Sequence, residues 1–385
     1  MRGESPEIAI VGAGIAGLTA AIALEREGFR TRVFEQSPVL RAGGGALILW
    51  CNALKALDRV GLRRVLCEAP TAQEVETSEF RNHAGDFLTS IPVGDLGRHH
   101  DAETIVVSRR DLLETLLANV PRTSEVVFDV RLRAIDQDAD SVVATFSDGS
   151  VRRFSALIGA DGINSTVRGL LGIDAGLRHT NQDLWVGTTR SPHDDLIPGH
   201  NVATVGAGYR FWHTLLGDGR VFWYAAVPTA GRHVPPAKVS DLAKLFARWH
   251  EPIPAILRAT EDDDVVRSPM RDRAPTLPWG SGRVTLMGDA AHSMTPDIGQ
   301  GACQAMESAV VLASRLRGAS DLPRALRSYE RDRFGRTADI NRMSWLVAHS
   351  SSVAEPTLCS LRDAAMRIGL RAAVMSQLDW LFAGP

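Results

Sequence analysis

Ile8-Ala-Ile-Val-Gly12-Ala-Gly14-Ile-Ala-Gly17 opens the first structural unit of the chain, and that unit closes at Glu35. Ile8 to Val11 reads as a short buried strand and Thr19 to Glu27 as a helix with an Ala/Leu face. Gly28 stops the helix, and Thr31 to Phe34 reads as a second strand carrying Glu35 at its end. In that setting the three glycines have separate tasks: Gly12 makes the tight turn, Gly14 lets backbone approach a pyrophosphate, and Gly17 lets helix pack close on strand. The free N–H groups and dipole of the helix N-terminus favour an anion there. Glu35 is placed to accept both hydroxyls of an adenosine ribose, and its charge repels a 2′-phosphate. The motif predicts a bound dinucleotide and leaves NAD and FAD equally open.

The 385 residues are enough for one or two domains with a large core. A composition of 44% hydrophobic and 23% charged residues is that of a globular protein, and a net charge of -2 leaves no basic surplus for nucleic acid. Cys51, Cys67, Cys303 and Cys359 have no paired or metal-binding spacing, so we expect reduced thiols, no metal site and a cytoplasmic protein. The uncharged run 8–24 is too short for a membrane span, is punctuated by glycines, and follows acids rather than a basic region.

After Glu35, Arg41-Ala-Gly43-Gly44-Gly45-Ala46 runs into an apolar strand, which suggests backbone passing close to a ligand. Asn52 to Val60 reads as a helix closed at Gly61, and residues 75–95 as a hairpin. Val106 to Leu113 passes from strand to helix with Ser108 or Asp111 as its cap. From about 180 to 274 the chain becomes β-like and aromatic, with Trp185, Trp212, Phe222, Trp223 and Tyr224, and Asp241 to Trp249 reads as a helix. Period-two alternation puts Phe222 and Tyr224 on one face of their strand and Trp223 on the other. The dinucleotide-binding character returns at Gly282 to Asp289, a long helix follows from Gly301 to Leu316, and the tail reads as helices separated near 350–356. The last of these carries Leu361, Ala365, Ile368, Ala372 and Met375 on one face, predicted to dock on the body or a partner.

Three separated motifs agree: the opening turn, Gly159-Ala160-Asp161-Gly162 through Arg168, and Gly288-Asp289-Ala290-Ala291-His292 through Pro296 to Gly299-Gln300-Gly301. Together they resemble the single-component FAD-dependent aromatic hydroxylases with the p-hydroxybenzoate hydroxylase fold. The branch that looks most similar holds urate hydroxylase, salicylate and 3-hydroxybenzoate hydroxylases and zeaxanthin epoxidase. The resemblance implies an α/β fold: a Rossmann-like FAD-binding domain of glutathione-reductase type (1–75, 100–179 and 275–340) and an inserted antiparallel β-sheet substrate domain (76–99 and 180–274). C-terminal helices (341–385) would follow. No second G-x-G-x-x-G is visible, which argues against a separate NADPH domain.

The resemblance also implies non-covalent FAD, NADH or NADPH as reductant, and O₂. A flavin C4a-hydroperoxide would hydroxylate an aromatic or N-heteroaromatic small molecule. Asp289 would accept from the ribityl hydroxyls, and Gly299, Gln300, Gly301 and Ala302 would present a helix N-terminus to the electron-rich flavin edge. Ala16, Gln36, Gly44, Gly45, Ala46 and Gly288 fall in the same cofactor-binding set. Arg109 stands where the family arginine touches the cofactor, with Arg110 as its rival, and Arg41 is a further candidate. Asp161 belongs to the second dinucleotide motif and could equally cap the next helix. Pro296 would lie over the flavin. Arg210 matches an arginine that urate hydroxylase uses on its substrate, although Phe222 stands at the position of its partner tyrosine. Arg210 is the candidate for an anionic substrate, and His213 and Tyr224 are candidates for removing a substrate proton. His292 reads as structural. Ser293 and Ser308 replace a usual proline and aspartate, which predicts a lost helix hydrogen bond at Ser308. The alternatives are a related flavoenzyme performing epoxidation, halogenation or reduction, and a non-catalytic flavin-binding protein. We expect a monomer or homodimer with no nucleic-acid partner and no membrane insertion.

Overall fold

The computed structural model describes residues 7–41, 43, 45–173, 176–192, 196–229, 236–368 and 370–384. Gly44, one of the expected cofactor residues, lies outside them. Five parallel strands form the first sheet in the order Val284–Leu286, Ala156–Gly159, Glu7–Val11, Arg30–Phe34 and Glu125–Val127. Ile8, Ala9, Ile10, Ala156, Leu157, Ile158, Val284 and Leu286 are fully buried, as expected of a parallel sheet covered on both faces. The helix Ile15–Arg26 packs on the long helix Gly301–Leu316. Their approach depends on Gly288, because a Cβ there would sit 2.7 Å from the Ala16 Cβ.

A seven-stranded sheet stands beside this core in the order Val265–Asp272, Arg178–Pro192, Arg220–Pro228, Arg210–Leu215, His200–Val205, Thr77–Asn82 and Phe87–Ile91. Its pairings are antiparallel except between His200–Val205 and Thr77–Asn82. Its two faces belong to different cores. Phe211, Leu215, Val221 and Trp223 pack with the helices Val239–Leu245 and Ile253–Arg258 in a core of their own. Phe222 joins the core of the parallel sheet, with Phe80, Val186 and Trp212 packed against it.

The helix Leu322–Ser351 spans 30 residues without interruption, so the boundary expected at 341 falls inside one helix. Arg178 ties it to the seven-stranded sheet. Its guanidinium pairs with the fully buried Asp272 at 2.7 and 2.9 Å and bonds Asn341 at 3.0 Å, with Trp345 stacked 4.1 Å from it. The tail forms two helices, Pro356–Ile368 and Leu370–Ala383. The expected docked face does not form as one stripe, since Leu361 and Ile368 are 60% and 86% exposed. Leu381 and Phe382 enter the core, and Met375 of the expected stripe packs against it with Val374 and Leu378. Among the described residues no helix is long and apolar enough to cross a membrane.

One buried carboxylate joins three helices, Gly301–Leu316, Leu322–Ser351 and Cys51–Arg59. Glu307, on the Gly301 helix, accepts from Arg333 at 2.8 Å, from Arg336 at 2.9 Å through each oxygen, from Asn52 at 2.5 Å and from Gln304 at 3.2 Å. Arg336 also donates to the carbonyl of Leu381 at 2.6 Å, which fastens the C-terminal helix. The two cations hold the Glu307 carboxyl below its usual range against the opposing effect of burial. Removing it leaves buried guanidinium charge uncompensated, so Glu307→Ala is expected to cost about 3–5 kcal/mol. A urea unfolding curve reads this as a lower midpoint at unchanged slope.

Candidate functional site

All three glycine and Gly-Asp motifs end at the carboxyl edge of the parallel sheet, where open α/β sheets bind ligands. Backbone bonds draw the edge together: Gly12 N to Phe34 O, Glu35 N to Val127 O and Ala160 N to Val11 O, each 2.8 Å, and Met287 N to Gly159 O, 2.9 Å. Gly12 has φ +108°, and a Cβ on it would lie 2.5 Å from the Ala160 oxygen. A Cβ on Gly17 would lie 1.9 Å from the Gly12 oxygen. Gly14 differs, because nothing stands within 4 Å of its missing Cβ. It opens the Ile15 helix, which has no side-chain cap and no acid in its first turn. The fold therefore fills the space at two glycines and leaves the third facing an empty, electropositive helix end. This is the shape and sign that a pyrophosphate requires.

Glu35 is held at the next strand end, where it accepts from the backbone N–H groups of Ala13 at 2.9 Å and Ser37 at 2.8 Å. Each carboxylate oxygen keeps capacity for a further donor. Gln36 and Arg41 are exposed beside it, with Arg41 Nε donating to Ser37 Oγ at 2.9 Å. Asp161 spends its carboxylate locally, accepting from Ser165 Oγ at 2.5 Å and from the N–H groups of Thr166 and Val167 at 2.6 and 3.1 Å. Ser165 caps the helix Thr166–Leu170 by accepting from Arg168 N at 2.9 Å and Asp161 braces its first turn, so the contribution of Asp161 to the cleft is backbone packed against Gly12.

Asp289 and Arg109 face each other across the cleft. Burial pushes the Asp289 carboxyl up, and Arg109 pulls it back. Burial likewise pushes Arg109 down, and Asp289 opposes that. Asp289 nevertheless keeps an accessible surface, as expected of a residue that lines a cleft, so water there offsets part of its rise. No hydrogen bond within the protein satisfies either charge among the described residues. Arg109 reaches the glycine loop, its Cδ lying 3.8 Å from where a Gly43 Cβ would stand. Ser108, not Asp111, caps its helix by accepting from Asp111 N at 3.0 Å. Asp289 Oδ1 lies beside Gly301, at the start of a helix with neither a side-chain cap nor an acid in its first turn. An orphan acid, an orphan guanidinium and a second free helix N-terminus fit the polyol and the anionic ring edge of FAD.

The Gln300 side chain turns away from the cleft. It is fully buried and bonds Asn52 at 3.1 Å and Gln304 at 3.0 Å, leaving only its backbone to a cofactor. Ala302 is partly accessible and Ala46 buried. Ser308 loses nothing by replacing an acid: its hydroxyl bonds His292 Nε2 at 3.0 Å and Arg333 Nε at 3.1 Å, while Glu307 supplies the carboxylate. Burial and the nearby arginines hold His292 down at about 3, so it is a neutral structural imidazole.

The face of the seven-stranded sheet that meets this cleft is aromatic. A Cβ on Gly45 would lie 2.6 Å from Val186 and 3.2 Å from Phe222, so the glycine loop presses directly on the sheet. One row across that face reads Phe80, Ala203, Trp212, Tyr224, Val186, and another reads Asn82, Val205, Arg210, Ala226, Leu184. Phe222 lies between Thr214 and Thr188 in a third. Trp212 and Tyr224 stack with centroids 5.6 Å apart and 13° between planes. Burial pushes the Tyr224 hydroxyl up to about 12.

His213 leaves the candidate set because it pairs with Trp223 on the opposite face and is 1% exposed among the helices there. Arg210 is on the cleft side but is already paired. It forms a buried ion pair with Asp297, donates to Ser351 Oγ at 2.8 Å and to Gln182 Oε1 at 2.8 Å, and touches Met270 Sδ at 3.9 Å. The expected free cation for an anionic substrate is therefore absent. Asp297 follows Pro296 in the turn Pro296–Ile298, and Pro296 itself is accessible. Asp297 stands inside the quoted Gly288–Gly301 motif, but its pairing with Arg210 gave no sequence signal, and neither did Gln182, because these partners are distant in the chain.

The model of the FAD binding domain family matches residues 5–344. The chain is 31% identical to the aurachin C monooxygenase/isomerase of Stigmatella aurantiaca, over 94% of each chain. It is 33% identical to the FAD-dependent urate hydroxylase of Klebsiella pneumoniae, over 86% of each. The crystal structure of Klebsiella pneumoniae HpxO with FAD and uric acid superposes with a TM-score of 0.91 at 28% identity, covering 100% of this chain and 98% of that one.

The glycine geometry separates folding from cofactor binding. Gly17→Ala is expected to prevent folding, because its methyl group meets backbone. Gly14→Val is expected to fold normally and to lose FAD affinity by about ten-fold or more, a loss of about 1.4 kcal/mol or more. Circular dichroism and FAD titration of the apoprotein would distinguish the two.

Proposed function

The chain belongs to the FAD-binding domain family and is an FAD-dependent monooxygenase, and we propose that it hydroxylates an aromatic or N-heteroaromatic ring laid on the Trp212–Tyr224 face of the seven-stranded sheet. FAD, NAD(P)H and O₂ are its cofactor and co-substrates. The observation that carries the substrate reading is the contact of Gly45 with Val186 and Phe222. It brings the cofactor loop and the aromatic face together with no intervening layer.

Gly14, Glu35, Arg109, Asp289 and the Gly301 helix N-terminus would hold FAD, which supplies two-electron storage and activation of O₂ when bound. Around that group the protein's own task is positioning and drying. Trp212 and Tyr224 stack to form a flat wall that orients a ring by its face. Phe222, Val186 and Phe80 extend the apolar surface and exclude water, which protects a reactive oxidant from wasteful decay. Arg210, Asp297 and Gln182 close one end with a fixed polar set. Pro296, at the head of the Asp297 turn, is accessible at that end, and its carbonyl closes the turn by accepting from Gly299 N at 2.9 Å.

Tyr224 acts as a neutral phenol. With its hydroxyl raised to about 12 it donates or accepts a hydrogen bond and does not remove a proton at neutral pH. The ring therefore has to be electron-rich on its own account.

Purified protein would be tested by its flavin absorption and by NAD(P)H oxidation and O₂ uptake with phenolic and N-heteroaromatic ligands. Ligand-stimulated oxidation with an oxygenated product is expected. Stoichiometric H₂O₂ without product would overturn the hydroxylase reading. Because Tyr224 stays protonated, the pH profile of hydroxylation should show no tyrosine limb below about pH 10, the ordinary tyrosine value. Tyr224→Phe should leave that profile unchanged in shape.

A further inference from the structure

We propose that His99, His100 and Asp379 form a divalent-metal site of the zinc class, which clamps the C-terminal helix to the body of the protein. Among the described residues, one group of three histidine, cysteine or carboxylate side chains brings its ligand atoms within 4.8 Å of one another, and it is this one. The site uses none of the residues assigned to the cofactor cleft and does not depend on the hydroxylase reading. The expectation of no metal was drawn from cysteine spacing, which carries no information on ligands 279 residues apart.

The two histidines are set side by side by the end of a helix. Val93–His99 stops there because Ala102 N donates back to Gly97 O at 3.1 Å, and Asp101 turns the chain away at φ +56°. The two imidazole rings meet edge to face with centroids 5.2 Å apart. Asp379 comes from the helix Leu370–Ala383, which is fixed from the other side. Three residues on, Phe382 is fully buried, and its carbonyl accepts from Lys55 Nζ at 3.1 Å. The Phe382 ring packs 6.0 Å from that of His100 and 5.6 Å from that of Trp50. One anchor therefore orients both the acid and an imidazole, and His100 Nε2 stands 2.8 Å from Asp379 Oδ1.

Two imidazoles and one carboxylate make a donor set that suits Zn²⁺, Co²⁺ or Ni²⁺, whereas Mg²⁺ and Ca²⁺ call for oxygen ligands. A tetrahedral ion about 2.0–2.2 Å from each ligand atom holds neighbouring ligands roughly 3.3 Å apart. The His100 and Asp379 atoms have only to part slightly, and the exposed His99 swings in to meet them. Water takes the fourth position, which the 56% exposure of the Asp379 side chain leaves open. The ion replaces one hydrogen bond between helix and body by coordinate bonds from both, so it favours the docked helix by mass action.

Tag-free, FAD-loaded protein stripped with a chelator would be titrated with Zn²⁺ by calorimetry. One equivalent should bind with a Kd of about 10 μM or tighter, and Mg²⁺ should not compete. His99→Ala removes an exposed ligand, and Asp379→Asn removes the carboxylate while keeping a hydrogen-bonding partner for His100, so both variants should fold. Each should weaken Zn²⁺ binding at least about ten-fold. His179→Ala, which removes an exposed histidine of the seven-stranded sheet, should leave binding unchanged. Amide hydrogen exchange supplies the second readout: Zn²⁺ should slow exchange in the helix Leu370–Ala383 of the native protein and not in that of His99→Ala. Absence of micromolar binding, binding that survives both ligand variants or is lost in His179→Ala, or exchange in the C-terminal helix that Zn²⁺ leaves unmoved would overturn the proposal.

Discussion

The carboxylate of Glu307 is the point on which the architecture turns. It is fully buried and shared by two arginines, an asparagine and a glutamine, and its partners come from the helix that follows the glycine loop, the 30-residue helix and its own helix. Buried ion clusters of this kind add little net stability over a well-packed apolar equivalent, but breaking one is costly. Its value here is placement. The Gly301 helix has to hold its N-terminus toward the cleft, and Glu307, less than two turns on, fixes that helix in rotation and depth. Arg336 extends the same lock to the C-terminal residues through the Leu381 carbonyl.

The cleft itself is defined by what the backbone leaves out. At Gly12, Gly17 and Gly288 a single methyl group would collide with another element, so close approach shapes the walls. At Gly14 nothing stands within 4 Å of the missing Cβ, so backbone there stays open. The charges follow the same logic. Among the described residues Arg109 and Asp289 find no hydrogen-bond partner and Glu35 is only half used, whereas Asp161 and Gln300 are committed to internal bonds. Satisfied groups build the cleft, and unsatisfied ones are the groups that would receive a cofactor.

Opposite this cleft the sheet divides its work by face. The helix-covered side carries His213, Trp223 and Phe211 in a closed core. The open side carries Trp212, Tyr224 and Phe222, and the charge of Arg210 on it is cancelled by Asp297. In the proposed reading, an aromatic wall against an electropositive cradle separates the two binding problems: the cradle would take the anionic dinucleotide and the wall the ring.

The parallel core, the glycine turn and the Gly-Asp strand end were legible in the sequence because their chemistry is local. A strand, a glycine turn and a helix within thirty residues leave few conformations, and an apolar run ending in Gly-Asp marks a strand end wherever it occurs. Period-two alternation likewise put Tyr224 opposite Trp223 in orientation. It could not say that the Tyr224 side meets the cofactor loop while the His213 side meets two helices, since that depends on which layer packs on which. Nor could it show that Arg210 is neutralised by a residue 87 positions away, or that the Ser308 hydroxyl accepts from Arg333 on another helix. Local sequence restricts backbone shape. Which charges cancel and which polar atoms stay unpaired is decided by long-range contacts, and these exist only once the chain has folded.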